Sequence, residues 1–342
     1  MKRFETIKQA QLLTKKKIRK GTFKWMEAAA EDGYTDQVNL IELQKIKIKP
    51  KFLVKTGEIN LEKKFFKNLF TSPIIISPMG HQTQFHRNGE AETAKGAKEA
   101  GALSFFSTQG RISLKDIRKN NPKLSFGWEI FPFGDLEWIN QEIYNCEKYK
   151  CNSIVICVDA NVRSHRYLDR ESFYDARKYG KRTNPLSPNP TIAKFYNWKL
   201  IKYIISKTKL PVFIKGILTY EDSLNALKNG ASGIWVSNHG GRMFNSGISS
   251  IEALKKISLI KKKYRTVIIV DGGVKKGSDI IKYLCAGADF VGIGRPVLYG
   301  LSLGGSQGVS RIINILKSEL ETSMINGGFK SNKSFLKDRI YE

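Results

Sequence analysis

From about residue 72 the chain alternates two hydrophobic patterns. One is a short, nearly unbroken apolar run. Eight of these recur, at 73–78 (PIIISP), 102–107 (ALSFFS), 124–131 (LSFGWEIF), 153–159 (SIVICVD), 211–215 (PVFIK), 233–237 (GIWVS), 267–271 (VIIVD) and 290–294 (FVGIG). Such a run predicts a strand buried on both faces, as in a parallel sheet. The other pattern spaces its apolar positions three and four apart, and predicts amphipathic helices over 90–100, 135–150, 222–229 and 278–286. Gly101, Gly230 and Gly287 follow three of these helices, where a helix stop favours a left-handed residue.

Eight strands joined by helical crossovers predict an α/β fold, the (β/α)8 TIM barrel. Successive strand starts lie about 22 to 34 residues apart, but about 58 separate the fourth from the fifth. An inserted loop after strand 4, roughly 161–197, accounts for the excess. Its polar, Pro-rich middle at 178–190 (KYGKRTNPLSPNP) predicts a lid. The expected division is a helical N-terminal extension over 1–70 packed on the barrel, the barrel over 71–325, and a loose, basic C-terminal tail over 326–342.

The 342 residues carry 58 Lys and Arg against 31 Asp and Glu, a net charge of +27, with 41% hydrophobic and 11% aromatic residues. That apolar content excludes a disordered chain. The positive charge invites nucleic acid or an anionic membrane surface as partner, with 15–20 as the membrane contact. Lysine clusters such as 115–119 and 261–263 instead recur on several helices, and the aromatics follow core periodicity. The charge is therefore read mainly as solvated helix faces. No nucleic-acid partner is expected, and peripheral membrane contact stays open. The N-terminus lacks the apolar stretch of a secretory signal, and Cys146, Cys151, Cys157 and Cys285 match no metal or redox spacing. These features point to reduced thiols, a cytoplasmic location and no metal.

In such a barrel the C-terminal strand ends converge on one mouth. Reading only those ends yields Pro78-Met79-Gly80, Ser107, Glu129 with Phe131, Asp159 with Arg166 beyond it, Lys215, Ser237 to Arg242, Asp271 to Lys275, and Gly294-Arg295. Gly-rich turns after strands seven and eight, each followed by a cation (Lys275, Arg295), predict a phosphate site. His239, with Asp159 at a strand end across the barrel, reads as a general base. Arg242 and Arg166 suit the carboxylate of a 2-hydroxy acid, and the base would take its hydroxyl or α-carbon proton. The electrons then need an acceptor that no side chain provides. A phosphate site with Lys215 inside the barrel implies a cofactor such as flavin mononucleotide (FMN).

With these residues in hand, the chain resembles the FMN-dependent 2-hydroxy-acid oxidising enzymes, which include glycolate oxidase, mandelate dehydrogenase and lactate oxidase. PVFIKGI (211–217), GASGIWVSNHGGR (230–242), VDGGVKKGSD (270–279) and VGIGRPVLYGLSLGGSQG (291–308) carry the resemblance, the last being similar to lactate oxidase. It implies His239 as base and Asp159 as its orienting carboxylate, with Arg242 and Arg166 on the substrate. It places Lys215 at the flavin N1/O2 edge, Pro78, Met79 and Gly80 near N5, and Ser107 on the ring. Asp271, Gly273, Lys275, Gly294 and Arg295 would hold the ribityl chain and phosphate, with Cys157, Ser237 and Gly272 completing the cofactor set. It also implies a homotetramer.

Three departures stand out. Trp25 and Phe131 occupy positions where the family usually has substrate-binding tyrosines, and Glu129 replaces a flavin-contacting glutamine. The usual RQLD after the histidine is Arg242-Met243-Phe244-Asn245. Loss of two phenols implies a more apolar pocket, and a different or bulkier acid. Another FMN barrel, such as type 2 isopentenyl diphosphate isomerase, and a relative with lost catalysis are the alternatives. Oxygen and a quinone or cytochrome are equally open as electron acceptors.

Overall fold

The computed structural model describes residues 3–131, 134–172, 182–185, 197–331, 335 and 337–341. Each apolar run forms a strand: β1 (Ile74–Ile76), β2 (Leu103–Ser107), β3 (Phe126–Ile130), β4 (Ile154–Cys157), β5 (Val212–Ile217), β6 (Gly233–Val236), β7 (Val267–Asp271) and β8 (Phe290–Ile293). Neighbours pair in parallel, and β8 pairs with β1 to close the barrel. The predicted helices form as Gly89–Glu99, Leu136–Lys148, Tyr220–Lys228 and Gly277–Cys285, and the three glycines that follow have positive φ.

Side chains alternate along each strand, so every second residue points into the barrel. The lower inward positions are apolar and buried: Ile75, Leu103, Phe105, Val155, Phe213, Trp235, Ile269 and Phe290. Large rings fill this space so completely that β6 opens with glycine; a Cβ on Gly233 would lie 2.2 Å from the Phe213 ring. A short hairpin, Lys63–Phe65 with Asn68–Phe70, closes the N-terminal end by setting Phe65 between Phe213 and Phe290, with ring centroids 5.6 and 5.5 Å away.

The opposite end is roofed by the N-terminal segment. Helix α1 (Ile7–Lys17) lies along the last long helix, Arg295–Gly327, where Lys17 Nζ donates to the Ser302 carbonyl at 2.6 Å. Helices α2 (Lys20–Glu27) and α3 (Tyr34–Lys45) come over the strand ends. Asn39 of α3 and Asn238 after β6 exchange side-chain amide hydrogen bonds of 2.9 and 2.8 Å.

Two segments differ from expectation or extend it. The tail was expected to be loose, yet its described residues dock. Ile340 and Tyr341 pair antiparallel with Ile48 and Lys47, Phe329 is buried, and the Arg339 guanidinium lies 3.9 Å above the Phe329 ring. Isolated apolar residues in a polar stretch anchor it, which average composition hides. The lid expected over 178–190 lies mostly outside the described residues. Within the described part, Asn184 is buried and donates to the carbonyls of Thr108 and Gly110 at 2.9 and 3.1 Å. All four cysteines are buried free thiols. Among the described residues no helix is long and apolar enough to cross a membrane.

Candidate active site

Two residues above the apolar layer, the same inward faces turn polar. Ile75 gives way to Ser77, Phe105 to Ser107, Val155 to Cys157, Phe213 to Lys215, Trp235 to Ser237 and Ile269 to Asp271. Strand periodicity alone thus places a polar ring on an apolar plug, at the mouth of a cavity of about 1100 Å³. Sixteen of the predicted site residues line that cavity: Trp25, Pro78, Met79, Gly80, Glu129, Phe131, Arg166, Lys215, His239, Arg242, Asp271, Gly272, Gly273, Lys275, Gly294 and Arg295. Ser107, Cys157, Asp159 and Ser237 stand behind it, each bonded to its neighbours at the strand ends.

His239 Nδ1 lies 3.2 Å from Asp159 Oδ1, which also accepts the Cys157 thiol at 3.0 Å. The histidine sits at φ 58, a left-handed conformation that side chains rarely adopt. Ser237 Oγ accepts its N–H at 3.0 Å and so helps hold the turn. Asp159 approaches β5 closely, and only glycine fits at 216, where a Cβ would lie 2.6 Å from the Asp159 Cβ. Burial pushes the Asp159 carboxyl up, but His239, Lys215 and the Cys157 thiol outweigh it and hold the group well below the usual carboxylate range. Burial lowers the His239 pKa, Lys215 and Arg242 lower it further, and Asp159 opposes them. An ionised Asp159 beside a neutral imidazole is the outcome.

Lys215 Nζ lies 3.7 Å from Glu129 Oε1, and both side chains are almost fully buried. Burial works against the lysine charge, but the carboxyls of Glu129, Asp159 and Asp271 override it and raise the pKa. Burial raises Glu129 to about 7 despite Lys215 and a hydrogen bond from Ser107. Asp271 is tied down by three donors, Ser77 Oγ, Trp235 Nε1 and Ser237 Oγ, at 3.1, 3.0 and 2.6 Å.

The end of the cavity beside α2 is built around Arg242. Its Nη1 donates to the carbonyls of Trp25, Met26 and Ala28, at and just past the end of α2, at 3.3, 3.0 and 2.5 Å. A cation at a helix C-terminus meets the orphan carbonyls and the negative end of the dipole. Its guanidinium also lies 5.3 Å from the Trp25 ring centroid. Arg166 donates to Ser164 Oγ at 3.2 Å, and that hydroxyl donates to the Arg242 carbonyl. Phe131 and Ala160, with Met243 against them, form an apolar wall, the Phe131 ring 6.1 Å from His239.

His81 and Asp36 are among the cavity residues that escaped the sequence reading. His81 follows Gly80 at φ 59 and accepts from Arg111 Nε at 3.4 Å. Burial, together with Arg111, Arg182, Arg242 and Arg166, lowers its pKa to about 3, so it is neutral. Its place directly after a strand end was the available signal. Asp36 pairs with Arg295 across the chain, and nothing local announced it.

A (β/α)8 barrel with a buried lysine in its mouth, glycine turns after β7 and β8, and a His–Asp pair beside arginines defines a cofactor-dependent barrel oxidoreductase. The model of the FMN-dependent dehydrogenase family matches residues 14–342, and the chain belongs to that family. Its cofactor is FMN. The chain is 31% identical over 325 residues to human 2-hydroxyacid oxidase 2, covering 93% of this chain and 92% of that protein. It is 32% identical over 319 residues to the 2-hydroxyacid oxidase of Dictyostelium discoideum, covering 85% and 79%. The structure of Pediococcus acidilactici lactate oxidase superposes with a TM-score of 0.88 at 29% identity, covering 99% of this chain and 94% of that one.

The donor set fits FMN. Glu129 Oε1 is buried, lines the cavity and has no hydrogen-bond partner among the described residues. A ring edge bearing N–H groups would satisfy it, and Lys215 is placed for an electron-rich edge. Lys275 lines the end of the cavity where the phosphate would lie, whereas Arg295 there is already engaged by Asp36.

Proposed function

We propose that the protein oxidises an L-2-hydroxy carboxylic acid, lactate-like or bulkier, to the 2-oxo acid. The electrons would pass through FMN to oxygen or a respiratory acceptor. The carrying observation is the Asp159–His239 pair beside Arg242 on one cavity wall. The relatives, 2-hydroxyacid oxidases and a lactate oxidase, agree with it.

FMN supplies the two-electron acceptor that side chains lack. The rest falls to this chain. Arg242, seated on the α2 carbonyls, presents its remaining donors to the cavity, and Arg166 stands beside it to grip the carboxylate. Asp159 takes the Nδ1 side of His239 and leaves Nε2 to accept a substrate proton. The ionised Asp159 then offsets the imidazolium charge. Trp25, Phe131 and Met243 furnish the apolar surroundings for the acid's side chain, which favours a larger apolar substituent than a methyl.

Mixing the FMN-loaded protein anaerobically with a panel of L-2-hydroxy acids tests this. Bleaching of the flavin absorbance by at least one acid, with the 2-oxo acid as product, is expected. A fully loaded protein that no hydroxy acid reduces would overturn the reading. Such a result favours an FMN barrel without net oxidation, or a relative that has lost catalysis.

A further inference from the structure

Three carboxyls crowd one buried lysine: Glu129 from β3, Asp159 after β4 and Asp271 on β7 all act on Lys215. They are not held alike. Asp271 has three donors, and Asp159 has His239 and the Cys157 thiol on Oδ1, though its Oδ2 has none. Glu129 has only Ser107 and the lysine at 3.7 Å, with Oε1 otherwise bare on the cavity wall. Of the three, Glu129 and Asp271 line the cavity with Lys215, and Glu129 is the one of these two without a full donor set.

We propose that Glu129 is a proton reservoir for the flavin: ionised against Lys215 while the flavin is oxidised, it takes up a proton when the flavin is reduced. Two electrons and one proton go to the flavin and leave one extra negative charge beside Lys215. The lysine cannot offset that charge and the Glu129 carboxylate together, so a second proton, drawn from solvent through the cavity, goes onto the carboxylate. Reduction then consumes two protons per electron pair instead of one. Burial already sets Glu129 to titrate at about 7, so the window opens there and extends to higher pH, where the carboxylate is ionised beside the oxidised flavin. Cys157, pushed far up by burial, stays a thiol and takes no part.

The test is the slope of flavin potential against pH, measured on the FMN-loaded protein poised electrochemically through mediator dyes. No hydroxy acid is involved, so the outcome is independent of the substrate reading. The native protein is expected to show a slope about twice as steep from neutrality upward as Glu129→Gln, which keeps the shape and removes the titration. Equal slopes in the two proteins overturn the proposal. Should the variant not retain FMN, the native protein alone decides: a slope of one proton per electron pair throughout the neutral range also overturns it.

Discussion

Both carboxylate oxygens of Asp36 lie 2.8 Å from Nη1 of Arg295, whose Nη2 donates to the Gly240 carbonyl at 2.9 Å. The guanidinium at the phosphate end therefore carries a resident anion from the N-terminal helix. Burial opposes its charge, yet Asp36 and Glu27 raise its pKa. Any phosphate that uses Arg295 must share it with Asp36.

Asp36→Asn removes that competitor and one end of a half-buried ion pair. With both side chains about one-fifth exposed, at 20% and 22%, the loss to the FMN-free protein should be roughly 1–2 kcal/mol, short of the cost of breaking a fully buried pair. FMN should bind more tightly. Thermal melts with and without FMN check both; an FMN-free melting point unchanged from native would show that the pair contributes nothing.

Replacing His239 with Ala removes the proton acceptor while leaving Lys215 and the glycine turns in place. Reduction by the best hydroxy acid should slow by about 10²–10⁴-fold with FMN still bound. Stopped-flow bleaching is the readout, and native speed in the variant would disprove the assignment of the base.

The pH profile follows from the His239 environment. Burial, then Lys215, holds its pKa below the ordinary 6.5, and only the unprotonated imidazole accepts a proton. kcat/KM should rise with pH through a value below 6.5 and level off above it. Asp159→Asn withdraws the carboxylate that opposes the shift, so the acid limb should move to still lower pH. A limb displaced upward would contradict the pairing.

Arg242→Lys keeps the charge and loses the geometry. An ammonium cannot serve the three α2 carbonyls and a substrate carboxylate together. KM should rise by roughly 10–100-fold, with kcat falling less. Steady-state kinetics separates the two; a large kcat loss at unchanged KM would place the arginine in the chemical step instead.

Phe131→Tyr returns a hydroxyl to the wall beside His239. It should favour small hydroxy acids by about 1–2 kcal/mol and disfavour bulky ones. Equal effects on both would show that this wall does not set substrate size.

Much of this was legible before any coordinates. Continuous apolar runs mark strands buried on both faces, and chemistry collected at their C-terminal ends marks the mouth. Hence Lys215, His239 and Asp271 were found from their positions alone. What the sequence hid was pairing between distant segments. The Lys215–Glu129 contact follows only once the register sets Glu129 level with Val155 and Val155 level with Phe213. Asp36–Arg295 and the Arg242 seat on α2 depend on how the N-terminal helices cross the barrel, which no local pattern encodes. Phe329 and Ile340 dock a tail whose composition reads as loose.

The pairing of Lys47 and Ile48 with Tyr341 and Ile340 bears on the order of assembly. The roof over the cavity, with Trp25, Asp36 and Asn39, is made early on the ribosome, but its contacts lie after β6 and β8, and the strand that follows α3 finds its partner last. The barrel can close before the clasp does, so the roof is among the final surfaces to be set as the chain emerges.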